Sequence, residues 1–283
     1  MTEILIYGGV TSAVYAMLAV GFTLVFGVAR TLNLAHGSFY ALGAYITYFL
    51  TARFNMPLSI AAVLAVLTVT GFGVALELIL VSPLRDSGLA VLMITLATSL
   101  TVEQVLFLGF GSEYRNVPGF ITSKVVIAGV DVSGQRLLAL VVSCTLLSLL
   151  WVFIQRTRLG SAILALSQDS EAALYMGIPS DRIFALVMGL SAGLAAVAGV
   201  LAAPFLTMQP GMGLLPMVKA LSVVIVGGLG SIRGSILAAL MLGYAETVVA
   251  YEISTSWTEL VSLVAVFLAL IFRPTGLFGN RAF

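Results

Sequence analysis

The sequence predicts an all-α, polytopic integral membrane protein of about eight or nine transmembrane helices, with discontinuous helices among them. Three observations predict this. Of 283 residues, 60% are hydrophobic and 9% charged, where soluble globular domains carry roughly 25% charge. Apolar runs of membrane-crossing length, about 17 to 25 residues, recur along the whole chain. The longest polar segments, 111–135 and 156–182, are too short to bury a core of their own. The expected organisation is therefore one membrane domain over 1–283, with an external loop at 111–135 and a cytoplasmic loop at 156–182.

Taken in order, the runs fall at 4–29, 34–52, 57–81, 88–110, 136–155, 183–203, 214–230, 234–251 and 258–272. The first exceeds the ~7–15-residue core of a secretory signal, and Glu3 stands where a signal has positive charge, so it reads as a retained helix. Polar Asn33 and His36, with Gly37, open the second run, and Pro216 and Lys219 interrupt the seventh. Those two are the candidates for re-entrant or broken helices. The fourth places Thr95, Thr98 and Ser99 on one stripe at i, i+3, i+4, one turn before Glu103. These hydroxyls could line a weakly polar passage, or bond back to the helix and glue its neighbours. The lone Cys144, in the fifth, reads as a small packing residue. Gly189 and Gly193, with Ala196 nearby, give the sixth a small-residue face for close helix contact, internal or across a permease pair.

Nine alternating crossings leave two orientations, and the cations choose between them. A cytoplasmic 156–182 loop puts Arg30, Arg85, Arg156, Arg158, Arg182, Arg233, Arg273 and Arg281 inside, against Arg53, Arg115, Lys124, Arg136 and Lys219 outside. The N-terminus is then external, and the C-terminal "FRPTGLFGN" cytoplasmic.

Several functions lack their residues. A net charge of +1 gives no footprint for nucleic acid. Neither lysine, Lys124 nor Lys219, stands in a phosphate-binding loop, and "GGLGSIRGS" at 227–235 reads as a tight turn. One histidine and one cysteine do not make a metal centre, so neither an enzyme nor a resident cofactor is expected. His36 is either a pH-sensitive group or a packed cap at a helix start. Glu77, Glu103 and Glu246 lie nearer helix ends than the midplane, which argues against a proton relay.

"QDSEAALYMGIPSD" at 168–181 gathers three acids in this apolar chain. Asp169 is placed to cap a short helix from Ser170, Glu171 adds charge to its first turn, Gly177 stops it and Pro179 prevents continuation. Two turns are unstable alone, so the segment must lean on something: Ala172, Ala173, Leu174, Tyr175 and Met176, expected to be exposed, either enter a groove on a partner or belong to an ordered inter-helix loop. Ser180 and Asp181 are expected to cap the next transmembrane helix.

Glu171-Ala172-Ala173 followed by Gly177 resembles the coupling segment of ABC importer permeases. In chain order, "GFTLVFGVARTLNLAHGSFYALGAYI" (21–46), "VSPLR" (81–85), "QDSEAALYMGI" (168–178), "VVIVGGLGSIRGSILAALMLG" (223–243) and "FRPTGLFG" (272–279) resemble the branched-chain amino-acid permease family of bacterial ABC importers, the type without a long N-terminal extension. The resemblance implies the ABC importer permease fold in a bacterial inner membrane. It implies a second related permease in a heterodimer, or a second copy in a homodimer, two cytoplasmic ATPase subunits that bind the ATP, and a periplasmic substrate-binding protein. It also implies that Asp169, Ser170, Glu171, Ala172, Ala173, Leu174, Met176 and Gly177 form the ATPase-coupling segment, with Glu171 paired to a basic group and the alanines permitting close approach. Branched-chain amino acids are the expected cargo, with urea, amides or aromatic acids as alternatives within the family. A self-sufficient secondary carrier is the alternative from another class. Glycine-containing breaks before "SFYALGAYI" and "SILAALMLG" suit inverted halves with discontinuous helices. They nominate Asn33, His36, Gly227, Gly228 and Gly230, beside Thr95, Thr98 and Ser99, as path or gate residues.

Overall fold

A computed structural model describes residues 2–127 and 129–278. Arg281, and Gly279 and Asn280 at the end of the C-terminal stretch, lie outside the described residues. The elements run α1 (Thr2–Ala29), α2 (His36–Phe54), α3 (Leu58–Leu76, continued by a π turn Glu77–Val81), α4 (Gly88–Phe110), β1 (Lys124–Ile127), β2 (Val130–Ser133), α5 (Gly134–Arg156), α6 (Arg158–Gln168), α7 (Ser170–Tyr175), α8 (Ser180–Ala202), α9 (Leu214–Gly227), α10 (Ile232–Glu252) and α11 (Thr258–Phe272).

Among the described residues seven helices are long and apolar enough to cross a membrane, fewer than the eight or nine expected. The difference is α2 and α9, the two suspected of being broken. At 1.5 Å per residue α9 reaches only about 21 Å against a ~30 Å hydrocarbon core. The His36 imidazole bonds the Leu18 carbonyl, near the middle of α1, at 3.0 Å. The chain therefore leaves α1 at Ala29, runs back alongside it through residues 30–35, and starts α2 within the membrane's thickness. Gly37, in the first turn of α2, lies against Gly213, which precedes α9. A side chain at either position would meet backbone, so glycine is what lets the two breaks touch.

α1 and α8 form the centre: 78% and 72% of their apolar windows are buried, against 22% for α4 and 6% for the window leading into α11. Small residues make α8 central, because they let neighbouring backbones come close. Gly189 and Gly193 pack on Val74 and Thr70 of α3, and Ala196 meets Gly43 of α2. The small-residue face is thus an internal contact. Cys144 is exposed on α5 rather than packed, since that helix turns only a narrow face to the core.

The external loop holds an antiparallel hairpin, β1 with β2, and Arg115 pairs through its backbone with Met208 at 3.1 and 3.0 Å. That bridge ties the loop to the segment between α8 and α9. On the opposite face, Arg85 joins Glu77 at 2.7 Å and Asp181 at 2.8 Å. Asp181 is therefore not the expected cap of α8, whose N-cap position is Pro179 without a side-chain bond. Its carboxylate instead fastens the start of α8 to the end of α3, because Arg85 lies within reach and carries the opposite charge.

Candidate functional site

The residues nominated from the sequence sort into three places, and a fourth group was passed over. The first place is the segment between α5 and α8. Instead of a loop with one short helix, it holds two helices. α6 buries Gly160, Ile163 and Leu166, and its apolar spacing was the available signal. Asp169 then accepts from the Ala172 amide at 3.0 Å and caps α7 as expected. At the far end the Gly177 amide bonds the Leu174 carbonyl at 2.9 Å and the Ile178 amide bonds the Ala173 carbonyl at 3.1 Å. This pair of bonds closes a helix on a left-handed residue, and Gly177 has φ +80°.

Such capping compensates for a length of six residues. It also fixes which side chains face out. Ser170, Glu171, Ala172 and Leu174 are exposed, while Tyr175 and Met176 are 90% and 84% exposed. Ala173 is not: it is 4% exposed and packs within the protein's own core. The expectation that Ala173 touches a partner is corrected, because the inward face of so short a helix is what seats it. The Arg30 guanidinium bonds the Gln168 carbonyl at 3.3 Å, linking this segment to the chain leaving α1.

The second place is the start of α2. Asn33 accepts from the Ala35 amide at 3.0 Å and donates to the Met188 sulfur at 3.2 Å. His36 is fully buried, held by Leu18 on one ring nitrogen and by Ser191 Oγ at 3.1 Å on the other. Thr95 Oγ1 accepts from the Leu34 amide at 3.2 Å, and Ser38 donates to Ser99 Oγ at 2.9 Å. Thr98 bonds back to the Ile94 carbonyl of its own helix at 2.8 Å. The stripe on α4 therefore holds the non-helical entry of α2, satisfying backbone that has no water to bond.

The third place is the glycine turn between α9 and α10, which lies apart from the second. Gly227 backs onto Gly234, and Gly230 lies beside Gly27 near the end of α1. The C-terminal stretch closes over it: the Leu277 and Phe278 amides bond the Val226 and Gly227 carbonyls at 2.9 and 3.0 Å. Gly228 and Gly230 take positive φ, 105° and 81°.

The group passed over lies on the other side of the molecule. Glu246 is 4% exposed, and Lys219 Nζ reaches its Oε1 at 2.5 Å. Ser262 Oγ donates to the same oxygen, and Tyr15 donates its hydroxyl proton to Oε2 at 2.6 Å. Lys219 also donates to the Thr258 carbonyl at 3.3 Å. Both charges stand in the wall of a cavity of about 750 Å³. Lys219, counted with the outer-face cations, is mostly buried against Glu246. Its signal was a lysine inside an apolar run, with Glu246 inside another; nothing in the spacing said that the two would meet.

A family model described as "Branched-chain amino acid transport system / permease component" matches residues 4–270. The chain is 32% identical over 291 residues to the high-affinity branched-chain amino acid transport system permease protein BraD of Pseudomonas aeruginosa, covering 98% of this chain and 95% of that protein. It is 30% identical over 290 residues to the corresponding LivH protein of Escherichia coli K12, covering 97% and 94%. It is also similar to the autoinducer 2 import system permease protein LsrD of Salmonella paratyphi B, 27% identical over 232 residues, covering 77% and 68%. Among solved structures, PsaBC from Streptococcus pneumoniae in complex with Fab contains a chain of similar fold, with TM-score 0.56 and 15% identity over 96% of this chain and 92% of that one.

Proposed function

Because the chain belongs to the branched-chain amino acid transport permease family, we propose that it works as one permease subunit of a bacterial ABC importer, passing branched-chain amino acids from a periplasmic binding protein to the cytoplasm. ATP is bound and hydrolysed by two separate cytoplasmic subunits. A second, related permease completes the membrane part, and the largely unburied sides of α4 and α11 leave room for it.

What supports the reading most directly is α7. It is capped at both ends, seated by Ala173 and tied through α6 to Arg30, and it presents Leu174, Tyr175 and Met176 outward. Exposed apolar side chains beside the arginine-rich end of the helices suit a cleft in a soluble partner. A stiff element of this kind passes on a push without absorbing it; its displacement reaches α8 through Pro179, and from α8 the end of α3 through the Arg85–Asp181 pair. In this reading the arginine-rich face is cytoplasmic and the hairpin face external, where it meets the binding protein.

The test is reconstitution. The chain, its partner permease and the ATPases are placed in vesicles, with binding protein and leucine outside, and uptake is followed with and without ATP. Uptake that needs ATP and binding protein is expected; uptake of leucine by this chain alone, without ATP, overturns the reading in favour of a secondary carrier.

A further inference from the structure

The Lys219–Glu246 pair joins the first half of α9 to α10, away from the Gly227–Gly234 contact at the end of α9. A buried ion pair is weak evidence for stability, since desolvation offsets its attraction, and an ionisable residue within a membrane-crossing helix, as Glu246 is within α10, is a candidate for function. This pair also lies in the wall of a cavity instead of being sealed in a helix interface. Its volume of about 750 Å³ falls within the ~300–1,000 Å³ range of small-molecule sites. Around the charges the wall is largely apolar, with Val10, Val14, Leu18, Phe205, Met212 and Leu215.

Each charge keeps one hydrogen-bonding position unused by the bonds described. An ammonium has three N–H donors and a carboxylate about four lone pairs. Lys219 directs one N–H to Glu246 and one to the Thr258 carbonyl. Glu246 accepts Lys219 and Ser262 on Oε1 and Tyr15 on Oε2. The remaining N–H and the remaining Oε2 lone pair belong to adjacent groups of opposite charge. A ligand matching them carries a negative and a positive group side by side, with an apolar remainder for the wall.

We propose that the Lys219–Glu246 pair and the cavity it lines form a transit subsite for an α-amino acid with an apolar side chain, its carboxylate on Lys219 and its ammonium on Glu246. The inference deepens the importer reading and rests on it. The Lys219–Glu246 pair is already neutral, so a zwitterion adds no net charge to the cavity, whereas an amine or a carboxylic acid alone brings in a charge that nothing balances.

Two measurements on the full reconstituted complex test it. In the first, Lys219→Met with Glu246→Leu removes both charges and leaves neither buried alone. Loss of leucine uptake by roughly tenfold or more, in a complex that still co-purifies with its ATPases, supports the subsite. Uptake within about twofold of the parent, well under one such decade, overturns it and makes the pair structural. The second measurement keeps the pair intact and decides the matter where the double variant does not assemble. Ala250, on the cavity wall, is changed to cysteine with Cys144→Ala, and a membrane-impermeant thiol reagent is applied from the external side. Leucine is expected to slow labelling, while isopentylamine and 4-methylvalerate do not. Equal protection by all three, or by none, overturns the proposal. Absence of ATP-driven uptake by the parent complex sinks the importer reading instead, and there the labelling still decides the subsite.

Discussion

Gly37 and Gly213 face each other so closely that a Cβ on either one would run into the carbonyl oxygen of the other. The obstacle is backbone on both sides and cannot rotate away. Alanine at either position is expected to cost about 1–3 kcal/mol by overpacking, read as a lower thermal midpoint in detergent. Gly71 serves as the control, because nothing beyond its own turn of helix lies within 4 Å of the place its Cβ would take. Equal midpoints for Gly37→Ala and Gly71→Ala contradict the contact.

The hydroxyls of α4 should separate by partner. Thr95→Val strands the Leu34 amide, whose acceptor it removes, at about 1–3 kcal/mol. Thr98 bonds only its own helix, so Thr98→Val should stay within ~0.5 kcal/mol. A passage-lining role predicts the reverse pattern, with uptake falling in both and stability in neither; melting and uptake on the same preparations tell these apart.

Arg85 has two carboxylate partners of different worth. Glu77 is buried, so Arg85→Met leaves an uncompensated charge at a cost of ~3 kcal/mol or more. The Asp181 side chain is 71% exposed, and Asp181→Asn should cost only ~0–1 kcal/mol. Chemical unfolding of the two variants should rank them in that order, and similar values would mean that Glu77 is not held by Arg85.

On α7 the inward and outward faces should fail in different assays. Met176→Asp leaves the fold untouched and is expected to weaken association with the ATPases, measured by co-purification. Ala173→Trp pushes against the protein's own core and should lower stability before any partner is added. Asp169→Ala removes a cap worth about 1 kcal/mol, and Gly177→Val places a β-branched residue at φ +80°, costing about 1–2 kcal/mol. Both should fray α7, with faster amide exchange at Ala172 to Met176. Unchanged exchange in both would show that the caps do not hold the helix.

The helical membrane class, most helix boundaries, the doubt over the second and seventh runs and the capped segment after Asp169 were all legible along the chain. Each depends on local properties: apolar length, a glycine or proline at a helix end, a carboxylate one turn before an amide. Composition and cap chemistry act over a few residues, so a linear reading captures them.

What only the tertiary structure decided is which distant residues meet. Ala173 turns inward, Thr95 and Ser99 stitch α2, and Lys219 finds Glu246 on another helix with Tyr15 from a third. Periodicity gives the face of a helix but not its neighbour, and in an almost wholly apolar chain nearly every face looks alike. Burying a charge forces a partner, yet electrostatics says only that one must exist; the packing of small residues along α8 and at Gly37 and Gly213 sets the helix positions that supply it.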